Sequence, residues 1–409
     1  MLREFGICEV NMQFSYKHTI GACFVGYIVQ AIVNNFAPLL FLTFQESYGI
    51  PLSQITLLIT VNFVVQLAVD LLAAGLADRI GARNCLVSAH LFCAVGLGLM
   101  AVLPQALPNA FMGLLICVIL YAMGGGLLEV MISPVVEACP TDNKEGTMSL
   151  LHSFYCWGQV GVVLLSTLFF MLFGTHSWRI LALIWALVPL ANMVVFIFVP
   201  IKQLNEDGGG MKLGALLRSG LFWALFAMMF CAGASELAVS QWASTFAERS
   251  LGVSKTVGDL AGPMMFAVFM GTARAVYGKI AHKIDAQRFM PATSLLCAGA
   301  YLCIALVPLP ALGLIGCGIC GFSVGIMWPG TFSRAAAALP AGGTMMFALL
   351  ALAGDLGCSG GPTFAGLVAS AAGDDLKKGI LAATIFPLIM AALSMYALIK
   401  RGKTPRSGR

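Results

Sequence analysis

Residues Tyr121 to Pro140 read YAMGGGLLEVMISPVVEACP, and the rest of the chain is understood from this stretch outward. Apolar residues run from Phe111 into three glycines, continue past Glu129 and stop at Thr141-Asp142-Asn143-Lys144-Glu145. Such a run crosses a bilayer as a helix, since roughly 20 residues cover the hydrocarbon. Glu129 falls inside the run. A carboxylate at mid-membrane costs about 3 kcal/mol on insertion scales, so it is kept where it faces a wet cavity, finds a partner or takes a proton. Each of these describes a transport pathway. Gly124, Gly125 and Gly126 remove side chains so that a neighbouring helix approaches closely, and Ser133-Pro134 loosens the same helix just beyond.

Composition extends this reading to the whole molecule. The 409 residues are 59% hydrophobic and only 10% charged, with a mean hydropathy of +0.92, which excludes a soluble globular protein and predicts an all-α polytopic membrane protein. Membrane-spanning strands are excluded because the apolar runs are long and do not alternate. Met1 to Lys17 is polar and a full apolar span follows, so the first span is expected to act as its own insertion signal. Of the 13 cysteines, Cys23, Cys93, Cys117, Cys156, Cys231, Cys303 and Cys317 sit in apolar runs and read as small buried hydrophobes. Cys317 and Cys320 have metal-like spacing without a second pair, so no metal site is expected.

Apolar segments at 18–44, 53–77, 85–103, 108–139, 147–174, 178–200, 220–247, 257–280, 291–309, 311–338, 344–372 and 379–399 predict twelve transmembrane helices. An even number places both termini on one side. If that side is cytoplasmic it holds 17 of the 23 basic residues, the opposite side holds five, and Arg274 lies within a span. Cytoplasmic termini follow from the positive-inside bias, and the net charge of +5 reports topology rather than nucleic-acid binding. The longest polar interruption, IKQLNEDGGGMKLGALLRSG at 201–220, has the composition of a flexible link. It predicts an N-terminal six-helix bundle over 1–200, a cytoplasmic linker at 201–219 and a C-terminal six-helix bundle over 220–409.

The two halves also match in sequence. Gly49 recurs as Gly252 and Gly75 as Gly278, both 203 residues on; Gly126 and Pro134 recur as Gly321 and Pro329, 195 on; Gly158 and Gly161 recur as Gly354 and Gly357, 196 on. Several such pairs in one order indicate a duplicated unit, two pseudo-symmetric bundles around a central site.

Gly75-Leu76-Ala77-Asp78-Arg79-Ile80-Gly81-Ala82-Arg83 closes the second span and resembles the signature of the major facilitator superfamily. The resemblance implies the major facilitator fold, with Gly75, Asp78, Arg79, Gly81 and Arg83 as a conformational lock; Asp70, two turns earlier, reads as part of the same charge lock. A finer resemblance is to the fucose-permease-like branch of sugar:proton symporters, through Gly126-Leu127-Leu128-Glu129, Ser133-Pro134, Gly158 and Gly161. It implies a proton site at Glu129. Serine stands where asparagine is usual before Pro134, and Asn34 or Asn35 stands where the first span would carry an acid.

Polar residues within the spans supply a candidate cavity. Tyr27, Gln30, Asn34 and Pro38 share one face of the first span, and His152, Tyr155 and Gln159 one face of the fifth. Glu236, Ser240 and Ser244 line the seventh beside Gln241 and Trp242; Arg274, Trp328 and Asp355 come from the eighth, tenth and eleventh. Amides, acids and a flat aromatic suit a sugar ring. The expected substrate-binding set is Gln30, Asn34, Asn35, Tyr121, Glu129, His152, Tyr155, Gln159, Glu236, Gln241, Trp242, Arg274, Trp328 and Asp355, with Glu129 and Glu236 as proton-coupling residues. Glu236 and Arg274 read equally as a structural ion pair, and Asp355 as a packing or gating acid.

The expected function is proton-coupled symport of a small polar solute, most simply a sugar, by alternating access, in the cytoplasmic (inner) membrane of a prokaryote. No cofactor is expected besides the coupling proton, and the partners are a small-molecule substrate and the lipid bilayer, with the chain acting as a monomer. Two other readings stay open: an exporter or organic-anion carrier using Arg274, and a non-transporting membrane sensor. An enzyme is not expected, since no nucleophile–base pair, metal cluster or phosphate loop stands out.

Overall fold

In the computed structural model, residues 14–141, 144–202, 211, 213–280, 286–339 and 341–402 are described, apart from the side chains of 73–79, 144–146, 148–149, 278–280, 286–288, 343–345, 348 and 397–402. Among the described residues there is no strand. Among the described residues eleven segments are long and apolar enough to cross a membrane. In chain order the helices are α1 (Tyr16–Tyr48, interrupted near Pro38), α2 (Leu52–Ile80), α3 (Ala82–Met100), α4 (Ala110–Ala138), α5 (Lys144–Phe173), α6 (Trp178–Phe198), α7 (Gly220–Ser240), α8 (Lys255–Tyr277), α9 (Ala286–Leu306), α10 (Pro310–Ala338), α11 (Gly343–Ala371) and α12 (Leu376–Tyr396). The one outside the eleven is α11. Its 29 residues span as well as any, but Gly354, Asp355, Gly357, Gly360 and Gly361 dilute its apolarity.

The duplicated sequence positions turn out to do the same structural jobs. Gly49 and Gly252 end the first helical stretch of each half in the left-handed region, at φ 65° and 68°, where glycine carries no steric penalty. Gly126 lets α4 meet the backbone carbonyl of Gln66 on α2, and its repeat Gly321 lets α10 meet the carbonyl of Phe266 on α8. Gly158 and Gly354 both sit where a methyl group would collide, with Ala31 on α1 and with the Trp328 ring respectively. The fourth pair differs. A Cβ at Gly357 would strike the Phe230 carbonyl on α7, whereas a Cβ at Gly161 meets nothing within 4 Å. Gly233, Gly357 and Gly361 thus seat α7 and α11 backbone against backbone.

Within the first half, Arg83 begins α3 and donates to the carbonyls of Phe196 and Ile197 at the end of α6, at 2.7 and 2.6 Å. A cation there answers the unpaired carbonyls and negative pole of a helix C-terminus. Gly81 adopts φ 84° at the α2–α3 turn. The side chains of Gly75, Asp78 and Arg79 lie outside the described residues, as do residues 203–210 and 212 of the linker. His90 on α3 is fully buried and ties three helices: its Nδ1 donates to Leu86 (2.7 Å) and its Nε2 accepts from Asn192 on α6 (2.8 Å), which also donates to Ala22 on α1. Leu150, Trp157, Leu164 and Leu168 on α5 stay exposed and form one stripe, suited to acyl chains.

The halves touch where α2 packs on α11 and α5 on α8. One end of the bundle carries the linker, as shown by Thr19 near the start of α1 donating to the Pro200 carbonyl at 2.6 Å. Most of the described hydrogen bonds between halves gather toward the opposite, far end. Thr60 and Thr363 share a hydrogen bond of 2.6 Å, the Trp242 indole donates to the Pro362 carbonyl within the second half, and Gln241 donates to the Asn34 carbonyl at 3.1 Å.

Candidate functional site

The three glycines of α4 shape the centre of the first half. Gly124 admits Cys93 and the backbone of α3, Gly125 lies against the side-chain amides of Gln30 and Gln66, and Gly126 against the Asp70 carboxyl. Polar groups from α1 and α2 thereby reach the α4 axis one turn before Glu129. Gln30 donates from Nε2 to Gln66 Oε1 (3.0 Å) and to Glu129 Oε2 (3.1 Å). Gln66 and Asn62 in turn donate to Asn34 Oδ1, at 2.9 and 3.2 Å. The chain of amides ends on Glu129, which is partly accessible.

Asn62 and Gln66 are absent from the expected set, and Asp70 is expected in a charge lock with Asp78. The structure corrects that: both Asp70 carboxylate oxygens are buried without a hydrogen bond among the described residues, facing α4 at Gly126. The signal is legible, because Asn62, Gln66 and Asp70 recur every four residues and share one face of α2.

Across from this network, Asp355 of α11 brings its carboxyl within hydrogen-bonding reach of Glu129. Beside them, Tyr27 Oη shares hydrogen bonds with Ser133 (3.1 Å) and His152 Nδ1 (3.4 Å). His152 is exposed yet lies on the face of α5 opposite the Leu150, Trp157 and Leu164 stripe, so it borders space inside the bundle rather than lipid. Tyr155 lies beside the side chains of Asn34 and Asn35, and Asn35 donates to the Ala31 carbonyl (2.9 Å).

In the second half Arg274 Nη2 donates to Glu236 Oε2 at 3.1 Å, and Arg274 Nη1 reaches Cys156 of α5 at 3.4 Å. Glu236 is 7% exposed. The two therefore form an ion pair sealed against the first half. Trp328 is half-buried with its ring on Gly354.

Eight expected binding residues are buried in this state: Gln30, Asn34, Asn35 and Glu236 in the networks above, and four more in close packing. Trp242 is fully buried with its indole N–H committed to Pro362. Gln241 holds the Asn34 carbonyl, Gln159 donates to Ser240 (3.2 Å), and Tyr121 is buried at 2%. As placed here they belong to the closed far end and to core packing, their surfaces taken up by protein rather than by a solute.

The far end is fastened by a charged group as well. Lys255 Nζ donates to the Leu39 carbonyl of the first half at 2.6 Å and pairs with Asp259 (3.2 Å) and Glu248 (3.4 Å). Asp259 also accepts from Ser244 and, across the halves, from Thr167 (3.3 Å). A π-helical turn, Leu260–Met264, follows directly. Removing Lys255 strands the fully buried Asp259, which costs about 3 kcal/mol when one partner of a buried pair is lost. Lys255→Ala is therefore expected to speed hydrogen exchange of backbone amides in 41–50 and 243–254, read by mass spectrometry, while amides of α3 and α6 exchange as before. The double variant Lys255→Ala/Asp259→Ala recovers much of the protection.

The family described as the Major Facilitator Superfamily matches residues 22–362. No curated protein matches the sequence. Among solved structures, a single-residue variant of the E. coli fucose:proton symporter FucP is similar at 15% identity and TM-score 0.64, over 93% of this chain and 99% of that one. A bacterial homologue of the human lysosomal transporter Spinster, inward-facing and unoccupied, is similar at 15% identity and TM-score 0.75, over 95% and 98%.

Proposed function

The chain belongs to the major facilitator superfamily, whose members are membrane carriers rather than enzymes, and from that premise we propose that it is a proton-coupled symporter of a small polar solute, a sugar or polyol. The observation that carries the reading is the position of Glu129: a partly accessible acid in an otherwise apolar stretch of helix, bonded to Gln30 of its own half and touching Asp355 of the other. A group so placed meets the solute, the proton and the domain interface at once. His152, Tyr155 and Glu129, none of them fully buried, supply donors and acceptors for hydroxyl groups, while the buried Gln30, Asn34 and Gln66 hold Glu129 in place. The printed name of FucP, a fucose:proton symporter, agrees with this reading.

In this proposal the linker end is cytoplasmic and the membrane is the inner membrane of a prokaryote. The far end is then external and closed, and the two halves rock about the central polar site. Glu129 rather than Glu236 carries the proton, since Glu236 is occupied by Arg274. The same ion pair speaks against an organic anion as cargo: the Arg274 charge is already answered.

Two measurements test the reading. A thermal-shift screen of purified protein against sugars, polyols, nucleosides and organic acids names the solute, because binding to the native state raises apparent stability in proportion to occupancy. Adding that solute outside weakly buffered proteoliposomes should then alkalinise the medium. Acidification would identify an exchanger and defeat the proposal. In the same assay Gln66→Leu, which removes the link between Gln30 and Asn34, is expected to raise the half-saturating solute concentration about tenfold, the equivalent of one hydrogen bond to a polar network at about 1.4 kcal/mol.

A further inference from the structure

The contact between Glu129 and Asp355 joins an acid of the first half to an acid of the second, 226 positions apart in the sequence. Two carboxyl groups make a hydrogen bond only if one carries a proton to donate, and two carboxylates at that separation repel. Among the described residues no cation resolves the conflict. The ionisable groups around the pair are Tyr27 on α1, Asp70 on α2, His152 on α5, Glu236 on α7, Arg274 on α8 and Cys358 on α11. Arg274 is engaged by Glu236, and the charges acting directly on Asp355 are those of Glu129 and Asp70, both acidic.

We propose that Asp355 is a second proton-coupling residue, holding one proton jointly with Glu129 while the far end is closed, so that loss of this proton to the linker side pushes the two halves apart. This deepens the symport reading and rests on it. The step balances simply: the Glu129–Asp355 pair goes from one shared proton and charge −1 to two carboxylates and charge −2, and the proton passes to water. The geometry suits the purpose. Asp355 lies two turns from Thr363 along α11, on the linker side of the Thr60–Thr363 contact, so the pair sits just inside the closed end, where partly accessible carboxyls meet solvent from the other side. Deprotonation from that side destabilises the far-end-closed form and returns the empty carrier.

The sign of the pH dependence follows. The far-end-closed form binds one more proton than the open form, so it is favoured at low pH and lost as pH rises. The test uses full-length protein in lipid nanodiscs without solute, carrying spectroscopic labels as encoded noncanonical residues at Glu46 and Lys378, both exposed at the far end of opposite halves. In the wild type the closed-to-open ratio should fall by up to about tenfold per pH unit above the transition. In Asp355→Asn the amide donates to Glu129 at every pH and the ratio should change less than about twofold per unit, while Asp355→Glu restores the response.

Infrared spectra provide the second readout. The wild-type-minus-variant difference spectra of Asp355→Asn and of Glu129→Gln should each show the loss of a protonated carboxyl C=O stretch, which leaves any band of the buried Asp70 out of account. A wild-type slope in Asp355→Asn, a flat wild type, or a difference spectrum of Asp355→Asn without a lost carboxyl band overturns the proposal. Proton-driven accumulation lost in Glu129→Gln but intact in Asp355→Asn, with an unchanged slope, would sink the pair and leave the symporter standing. A wild-type slope without proton-driven accumulation of any solute would do the reverse.

Discussion

In proteoliposomes held at a membrane potential of about 100 mV, Glu129→Gln should equilibrate the solute and concentrate none of it. One proton moved through that potential is worth about 2.3 kcal/mol, enough for roughly fiftyfold accumulation in a one-to-one symporter. The whole gradient is at stake. The variant should keep solute exchange at near wild-type rate, because a glutamine at 129 still accepts from Gln30, which in the native protein lies 3.1 Å from Glu129, and donates an amide hydrogen toward Asp355. Concentrative uptake that persists in Glu129→Gln at more than a small fraction of wild type would remove this acid from the coupling scheme.

The second large effect is on assembly. Gly357→Leu should yield no monodisperse protein by size-exclusion chromatography, because its side chain begins where the Phe230 carbonyl and the Ala234 backbone nitrogen already are. Overpacking a close helix contact costs about 1–3 kcal/mol, and more when backbone rather than a side chain must yield. Gly161→Ala, at the position related to Gly357 by the repeat, meets nothing within 4 Å. It should elute and melt like the wild type. Equal behaviour of the two variants would show that α7 and α11 are not seated as described.

The contrast between Gly161 and Gly357 also shows what a sequence carries. The repeat, the twelve spans and the family signature are legible because they depend on apolar length and on glycines that recur at fixed spacing. Glu129, Gln30 and Asn34 are legible for the same reason, since a polar group in hydrocarbon needs an explanation wherever it lies. Asn62, Gln66 and Asp70 are within reach of the same reasoning through their four-residue spacing on α2; Asp70 falls into the wrong cluster because Asp78, close in sequence, draws it toward the loop, while its carboxyl faces α4.

Trp242 illustrates a different difficulty. An aromatic beside amides suits a sugar and suits a sealed gate equally well, and only the burial of its ring and the bond to Pro362 distinguish the two. The pairing of Glu129 with Asp355 lies furthest from view. Nothing local in either helix announces the other, and the contact exists because α11 packs on α2 across the interface between halves.

The backbone-to-backbone seating of α11 on α7 decides how far a small push travels. Asp355 lies between Gly354 and Gly357, at the very place where α11 has least room to slide or roll. A repulsion felt there cannot dissipate as a private shift of one helix. With α11 seated on α7 in this way, the proposed repulsion would load the two helices together, and an ångström of separation near the centre would become a wider swing at their ends.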